Sequence, residues 1–369
     1  MKEYLANAPA DFDPVEFGSL PGESRESISE AWPAFRRSCA RLVKDQSVSR
    51  SAVAAPKTLL LAAEAALGQS HVSELDARSY FSQFFNIFRI RPRPGQNPYD
   101  HGFVTGYYEP EIEASEEHSS EFLEPVLGRP PDLESDAIVV GSFTYTSSRF
   151  SEGHLAPYWS RAEIDQGKSP AAVVAWVRDA IELFMIQVQG SARLKFPDGK
   201  VMRLAYNGRN GHPYESIGRI LVSEGHITLE QMSLNALKYW VRMAGQNPGE
   251  AGRALLHRNP SFVFFKLIPD VSPEDGPIGG EGVPLTKLRS LAVDRSIWAY
   301  GLPFWVSGNL PGEDGLNHDF QRLMIAQDTG SAIIGAARGD VFYGSGDIAG
   351  QAAARVRHAV DMFVFLPKG

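Results

Sequence analysis

The chain has one cysteine, Cys39, in 369 residues, so no intrachain disulfide is available to brace it. It has no apolar run near the ~20 residues that span a bilayer as a helix. The longest candidate, Thr58–Leu67, is about half that length and carries Glu64. No block of lysine and arginine stands out against a net charge of -8, which argues against a nucleic-acid partner. The nine histidines show no metal-ligand spacing, and no cofactor motif is present. GxxxxGK[ST], HExxH and GxSxG are all missing. Their absence speaks against a P-loop nucleotide hydrolase, a zinc protease and an α/β-hydrolase. The start, MKEYLANAPADF, has no apolar signal core. Either the protein is cytosolic or an export signal has been removed. Cys39, in FRRSCARL, lies too far into the chain and too close to basic residues to be a lipid-attachment cysteine.

What is present is globular. Hydrophobic content is 43%, and 34 glycines with 25 prolines favour many short strands and turns over a helical bundle. The first hundred residues read as helical. Ile28, Trp32, Phe35, Cys39 and Leu42 recur at steps of four and three, one apolar stripe. Pro56 suits the start, and Gly68 the end, of KTLLLAAEAAL. Ser73 caps a third helix that carries Tyr80, Phe81, Phe84, Phe85 and Phe88 inward. From Gly102 the period changes to strands: GFVTGYYEPEIEAS, IVVGSFTYT and ELFMIQVQGSARLKF. Two Asn-Gly turns, a capping box of Thr228 and Gln231, and a helix begun by Pro248 follow. The last third is again β-rich, and no repeat period is visible.

The segment QDTGSAIIGAARGDVFYGSGDIAG, residues 327–350, carries Asp328, Asp340 and Asp347 among six glycines. Four readings are open. Aspartates form turns without any further function. A calcium loop fails, because the ligands do not alternate and no glutamate closes the set. A pair of glycosidase carboxylates is possible. So is a single acid that cleaves a glycosidic bond without water. Asp340 precedes Val341, Phe342 and Tyr343, and a carboxyl beside apolar side chains has the raised pKa that a general acid needs. TGYYEP (105–110) and QVQGS (187–191) supply flat rings and amides suited to sugar chains, although either segment is also an ordinary core strand.

These pieces, in this order, resemble the membrane-bound lytic murein transglycosylase A family. The residues that carry the resemblance are TGYYEP (105–110), QVQGS (187–191), YNGRNGHPYESIGRIL (206–221), NPSFVFFK (259–266), VPLTKLRSLAVDRSI (283–297) and the three-aspartate segment. The resemblance implies a mostly β fold with a helical N-terminal part. A double-psi β-barrel domain (1–107 with 246–369) would receive an inserted smaller β-barrel domain (108–245), with glycan in the groove between them. It implies a lytic transglycosylase that cuts the β-1,4 bond between N-acetylmuramic acid and N-acetylglucosamine of peptidoglycan and leaves 1,6-anhydromuramic acid ends. Asp340 would be acid and then base, with Asp328 and Asp347 in support. Thr105, Tyr107, Tyr108, Gln189, Gly190, Ser191, Asn210 and His212 would bind substrate. No cofactor or metal is implied. The partners would be glycan strands and other murein-synthesis or hydrolysis proteins, for a monomer in the periplasm at the outer membrane. Two residues depart from the family pattern. Ser331 stands where DTGG is usual, and Ala192 where QGSG is usual. Each adds a side chain where main chain could approach the glycan. An inverting glycoside hydrolase and a non-catalytic glycan-binding module remain as alternatives.

Overall fold

The computed structural model describes residues 9–69, 71–93, 101–268 and 275–369. It divides into two compact units. One holds the described residues up to Glu109 and from Asp275 onward, and the other runs from Pro110 to Ile268. The domain expected to end at residue 245 therefore extends further. The helix Ala251–His257 and the strand Val263–Ile268 belong to the second unit, because that strand pairs with Val201–Arg209 and completes its sheet. Helix Ala251–His257 also starts later than Pro248, capped at Glu250.

In the first unit an eight-stranded sheet runs Ala10–Val15, Phe85–Pro92, Arg357–Pro367, Pro303–Pro311, Asn317–Asp328, Ser290–Val293, Arg338–Ser345, Gly102–Glu109. The strand Arg357–Pro367 also pairs with Gly102–Glu109, which closes the last six into a ring. Two pairs in the ring are parallel: Ser290–Val293 with Asn317–Asp328, and Arg338–Ser345 with Gly102–Glu109. Closure leaves the six ring strands without an open edge, and Ala10–Val15 is the outer strand of the sheet. Trp298, Trp305, Phe304 and Phe365 are fully buried in the core of this unit, Phe304 and Trp305 on opposite faces of one strand.

Three helices, Trp32–Val43, Lys57–Leu67 and Glu74–Phe84, pack in this unit. The stripe of Ile28, Trp32, Phe35 and Cys39 is buried, with Leu42 half-buried against it. Ser73 caps the third helix with a complete capping box to Asp76. That helix stops at Phe84, sooner than its aromatic stripe suggests. Phe85–Pro92 is a strand between Ala10–Val15 and Arg357–Pro367. Phe85, Ile87 and Ile90 are buried there, and edge pairing decides a segment whose aromatics fit either period.

In the second unit six strands run Val263–Ile268, Val201–Arg209, Ser191–Lys195, Glu111–Ser115, Val173–Val177, Glu124–Leu127. A bridge between Gly128 and Phe265 closes them into a barrel. Of ELFMIQVQGSARLKF, expected as a strand, only Ser191–Lys195 is a strand, and the first half lies in the helix Ala180–Gln189. Asp179 caps it by accepting the Glu182 N–H at 3.0 Å, and Gly190 ends it at φ +81°. Leu183 and Ile186 pack on the barrel core, while Ile181, Phe184 and Met185 pack on a second cluster with Ile217, Val241 and Leu256. A helix buried on two sides is apolar all round, so its helical period is hidden. The Thr228–Gln231 box forms its two bonds around a single turn. The helix that follows is Leu234–Met243, capped by Ser233.

Candidate active site

The ring of the first unit brings four residues into one row. On Ser290–Val293, Ala292 faces Asp328 of the parallel neighbour and Asp340 of the antiparallel neighbour. Asp340 in turn faces Thr105 on Gly102–Glu109. Neighbouring strands lie about 4.8 Å apart, so Asp328 and Asp340 start about two spacings from each other. A register shift between Leu291 and Ala292 places Asp328 in the row.

Asp340 is half-buried. Its Oδ1 accepts the Thr105 hydroxyl at 2.6 Å. That hydroxyl itself accepts from Arg338 Nη2 at 2.7 Å. Arg338 has no acceptor of its own, so the Thr105 proton has to point at Asp340. Burial pushes the Asp340 carboxyl up to about 6. The Arg338 cation and the Thr105 bond pull it down, and the Asp328 charge pushes it up further.

Asp328 is held by three donors. Tyr107 Oη donates to Oδ2 at 3.0 Å, and the N–H groups of Gly280 and Thr329 donate to Oδ1 at 2.7 and 2.8 Å. Burial and the charges of Asp328 and Asp340 hold the Tyr107 phenol well above its ordinary pKa, so it remains a donor. The ring of Tyr107 packs on Phe342. Tyr108 points elsewhere and lies against the helix Gly346–Ala353. A Cβ at Gly350 would sit 2.6 Å from its ring. Burial and the Asp347 charge push the Tyr108 phenol up to about 12. Asp347 is exposed in the first turn of that helix.

The structure therefore joins Asp340, Asp328, Thr105 and Tyr107, and leaves Asp347 on the surface beside Tyr108. The Thr105 hydroxyl has two partners there, Asp340 and Arg338.

In the second unit Gln189 is half-buried at the end of Ala180–Gln189, followed by Gly190 and the mostly buried Ser191. Gln187 is buried and accepts from Arg161 at 2.5 Å. Asn210, expected to bind substrate, is corrected. It is fully buried, donates to the Trp159 and Pro260 carbonyls at 2.9 and 2.8 Å, and accepts the Phe262 N–H at 2.8 Å. Its amide staples loops and has no face left for a ligand. His212 Nε2 donates to the Tyr158 carbonyl at 2.7 Å, and its ring meets Tyr145 edge-on.

A family model described as the MltA-specific insert domain matches residues 103–266, and one described as the 3D domain matches residues 289–366. The Escherichia coli protein named membrane-bound lytic murein transglycosylase A is 35% identical over 271 residues, 72% of this chain and 65% of that protein. The crystal structure of a membrane-bound lytic murein transglycosylase from Agrobacterium tumefaciens aligns with TM-score 0.82 and 34% identity, covering 96% of this chain and 97% of that one. This chain belongs to the membrane-bound lytic murein transglycosylase A family. A structure of the Escherichia coli relative with bound chitohexaose aligns with TM-score 0.68 and 27% identity, over 97% of this chain and 95% of that one. The match spans just under two thirds of the length of the curated Escherichia coli relative.

Two contributors to this transglycosylase-family site escaped the sequence reading. Arg338, in the same segment as Asp340, is mostly buried and sets the direction of the Thr105 proton. Its place two residues before the acid, on the same strand face, is a signal that a period-of-two reading could have used. Gly280 lies 48 residues before Asp328, and nothing local ties the two together.

Proposed function

We propose that this chain is a lytic transglycosylase that cuts the β-1,4 bond between N-acetylmuramic acid and N-acetylglucosamine in peptidoglycan. The observation that carries the reading is the Asp340 carboxyl. It is half-buried, oriented by Thr105 and held up to about 6, so about a tenth of it is protonated at pH 7, on the order of a hundred times the share of an ordinary aspartate.

Protonated Asp340 gives its proton to the glycosidic oxygen, and the bond to C1 of muramic acid breaks with oxocarbenium character. The Asp328 anion, fixed by Tyr107, Gly280 and Thr329, faces that developing positive charge. Asp340, now ionised, takes the proton from the O6 hydroxyl of the same sugar, and O6 closes on C1. The acid is regenerated, no water is consumed, and the product is a 1,6-anhydro sugar. An intramolecular nucleophile gains from proximity and requires no second base. Tyr107 and Tyr108 are the proposed glycan contacts of the first unit, and Gln189, Gly190 and Ser191 those of the second, each taken by itself. Asp347 takes a supporting part at most, beside Tyr108. The closed six-strand ring with its two parallel pairs supports reading the first unit as the double-psi barrel. The relatives are named membrane-bound, and the Escherichia coli relative was solved with chitohexaose. Both support placing this chain on glycan strands in the periplasm, at the outer membrane.

An inverting hydrolase is the second reading, because Asp328 starts about two strand spacings from Asp340, near the separation such a pair uses. Three donors already occupy Asp328, which favours a fixed anion over a base for water. Mass spectrometry of products from purified sacculi separates the two. Transglycosylation gives muropeptides lighter by one water than the reducing sugars that hydrolysis leaves. Reducing ends alone would overturn the proposal.

A further inference from the structure

Glu281 is a fully buried carboxylate that the proposed chemistry does not use. It sits in a tight turn. Gly282 N–H bonds the Gly279 carbonyl at 2.9 Å, and Gly282 has φ +90°, a conformation glycine adopts without strain. The main chain of this turn lies directly against the end of the Asn317–Asp328 strand. Gly280 N–H reaches Asp328 Oδ1 at 2.7 Å, and Glu281 N–H reaches the Gln327 carbonyl at 3.0 Å. The approach is close enough that a Cβ at Gly279 would fall 2.4 Å from the Gln327 oxygen.

The Glu281 side chain runs the other way, into the helix Trp32–Val43. Ser38 Oγ donates to Oε2 at 2.5 Å, and Arg41 Nη2 donates to Oε1 at 3.1 Å. Ser38 Oγ also accepts from Gln327 Nε2 at 2.9 Å, and Gln327 Oε1 accepts from Ser290 Oγ at 2.6 Å. Ser290 lies on the strand that carries Ala292, the centre of the Asp328–Asp340 row. One buried network thus runs from the helix, through Glu281, to both sides of Asp328.

We infer that Glu281 is a positioning residue, which clamps the 279–282 turn to the Trp32–Val43 helix so that the Gly280 N–H holds Asp328 in place beside Asp340. It touches neither reacting carboxyl. Its effect passes through the main chain of Gly280 and through Gln327. A clamp of this kind acts on how strongly Asp328 influences Asp340, more than on how glycan binds. The inference rests on the proposed role of Asp340, and its test has an arm that does not.

The test compares wild type, Glu281→Gln, Glu281→Asp and Asp328→Asn as full-length protein. The Asp340 carboxyl is titrated by carbon-detected NMR, and turnover is measured on soluble glycan strands. Removing the Asp328 charge in Asp328→Asn lowers the Asp340 midpoint, because that charge raises it. Glu281→Gln is expected to lower the midpoint in the same direction, and to reduce kcat about tenfold while KM stays within about twofold. Glu281→Asp is expected to restore part of both. Should Glu281→Gln not fold, Glu281→Asp carries the same comparison with a smaller shift. An Asp340 midpoint that moves in Asp328→Asn and stays at the wild-type value in every folded Glu281 variant overturns the inference. If wild type releases no anhydro product, the proposed function fails, and the titration still decides the clamp.

Discussion

Replacing Asp340 with asparagine is expected to destroy activity and to stabilise the protein, with a pH signature that follows from the site. An ordinary aspartate titrates near 3.8, and burial holds Asp340 at about 6. The folded state therefore prefers the protonated form. Below pH 3.8 the group is protonated whether the chain is folded or not, and it adds nothing to the difference. Between 3.8 and 6 the unfolded chain ionises while the folded one resists, so a penalty on folding grows with pH. Above 6 the penalty is complete. The gap of about two pH units, at about 1.4 kcal/mol each, gives about 3 kcal/mol. Asp340 keeps some exposure, and an asparagine in its place would retain the Thr105 bond while leaving an amide N–H₂ to satisfy. Both reduce the gain, to about 1.5–3 kcal/mol. For a unit of this size that is a rise of about 3–10 °C in Tm. Calorimetry of Asp340→Asn and wild type at pH 7.5 and pH 4 measures it. The expected outcome is a clear rise at pH 7.5, under about 1 kcal/mol of difference at pH 4, and no soluble product from sacculi at either pH. Equal stability at pH 7.5, or a larger gain at pH 4, would show that the site does not hold its acid up by burial.

Thr105→Val removes a hydrogen bond that favours the ionised acid, worth about 1.5–3 kcal/mol for a charged partner, so the Asp340 midpoint should rise by about one unit or more and the alkaline edge of activity with it. A pH–rate profile that does not move would remove Thr105 from the acid's support. Asn210→Ala removes the partner of the Phe262 N–H and of the Trp159 carbonyl, while the Pro260 carbonyl keeps the Arg161 N–H, and urea unfolding should show a loss of about 2–4 kcal/mol. An unchanged unfolding midpoint with a raised KM would return Asn210 to the list of glycan contacts. Gly350→Ala presses a methyl onto the Tyr108 ring, at an expected cost of about 1–3 kcal/mol with Asp340 chemistry intact, readable as weaker glycan binding at near-normal kcat.

The segment that carries the acids was legible because glycine, aspartate and apolar residues alternate there in a way that neither a core nor a solvated face would tolerate. The apolar stripe at Ile28, Trp32, Phe35 and Cys39 was legible for the opposite reason, since one buried face repeats at helical spacing. The helix Ala180–Gln189 was not, because burial against two separate clusters erases that spacing. The partnership of Asp328 with Gly280, and of Thr105 with Arg338, depends on strand register between segments far apart in the chain, which residue types alone do not set. Asn210 misled for a physical reason. An asparagine beside glycine is equally suited to gripping a sugar hydroxyl and to gripping the main chain of two distant loops, and only burial tells the two apart.

The strand Arg357–Pro367 hydrogen-bonds to Phe85–Pro92, Gly102–Glu109 and Pro303–Pro311. It is also synthesised after every other member of the ring. A nascent or clipped chain missing those dozen or so residues would carry all three aspartates and yet have an open barrel, with the Thr105 strand unsupported on one side. The pairing of Thr105 with its neighbours on both sides therefore depends on a strand that follows all three aspartates in the chain.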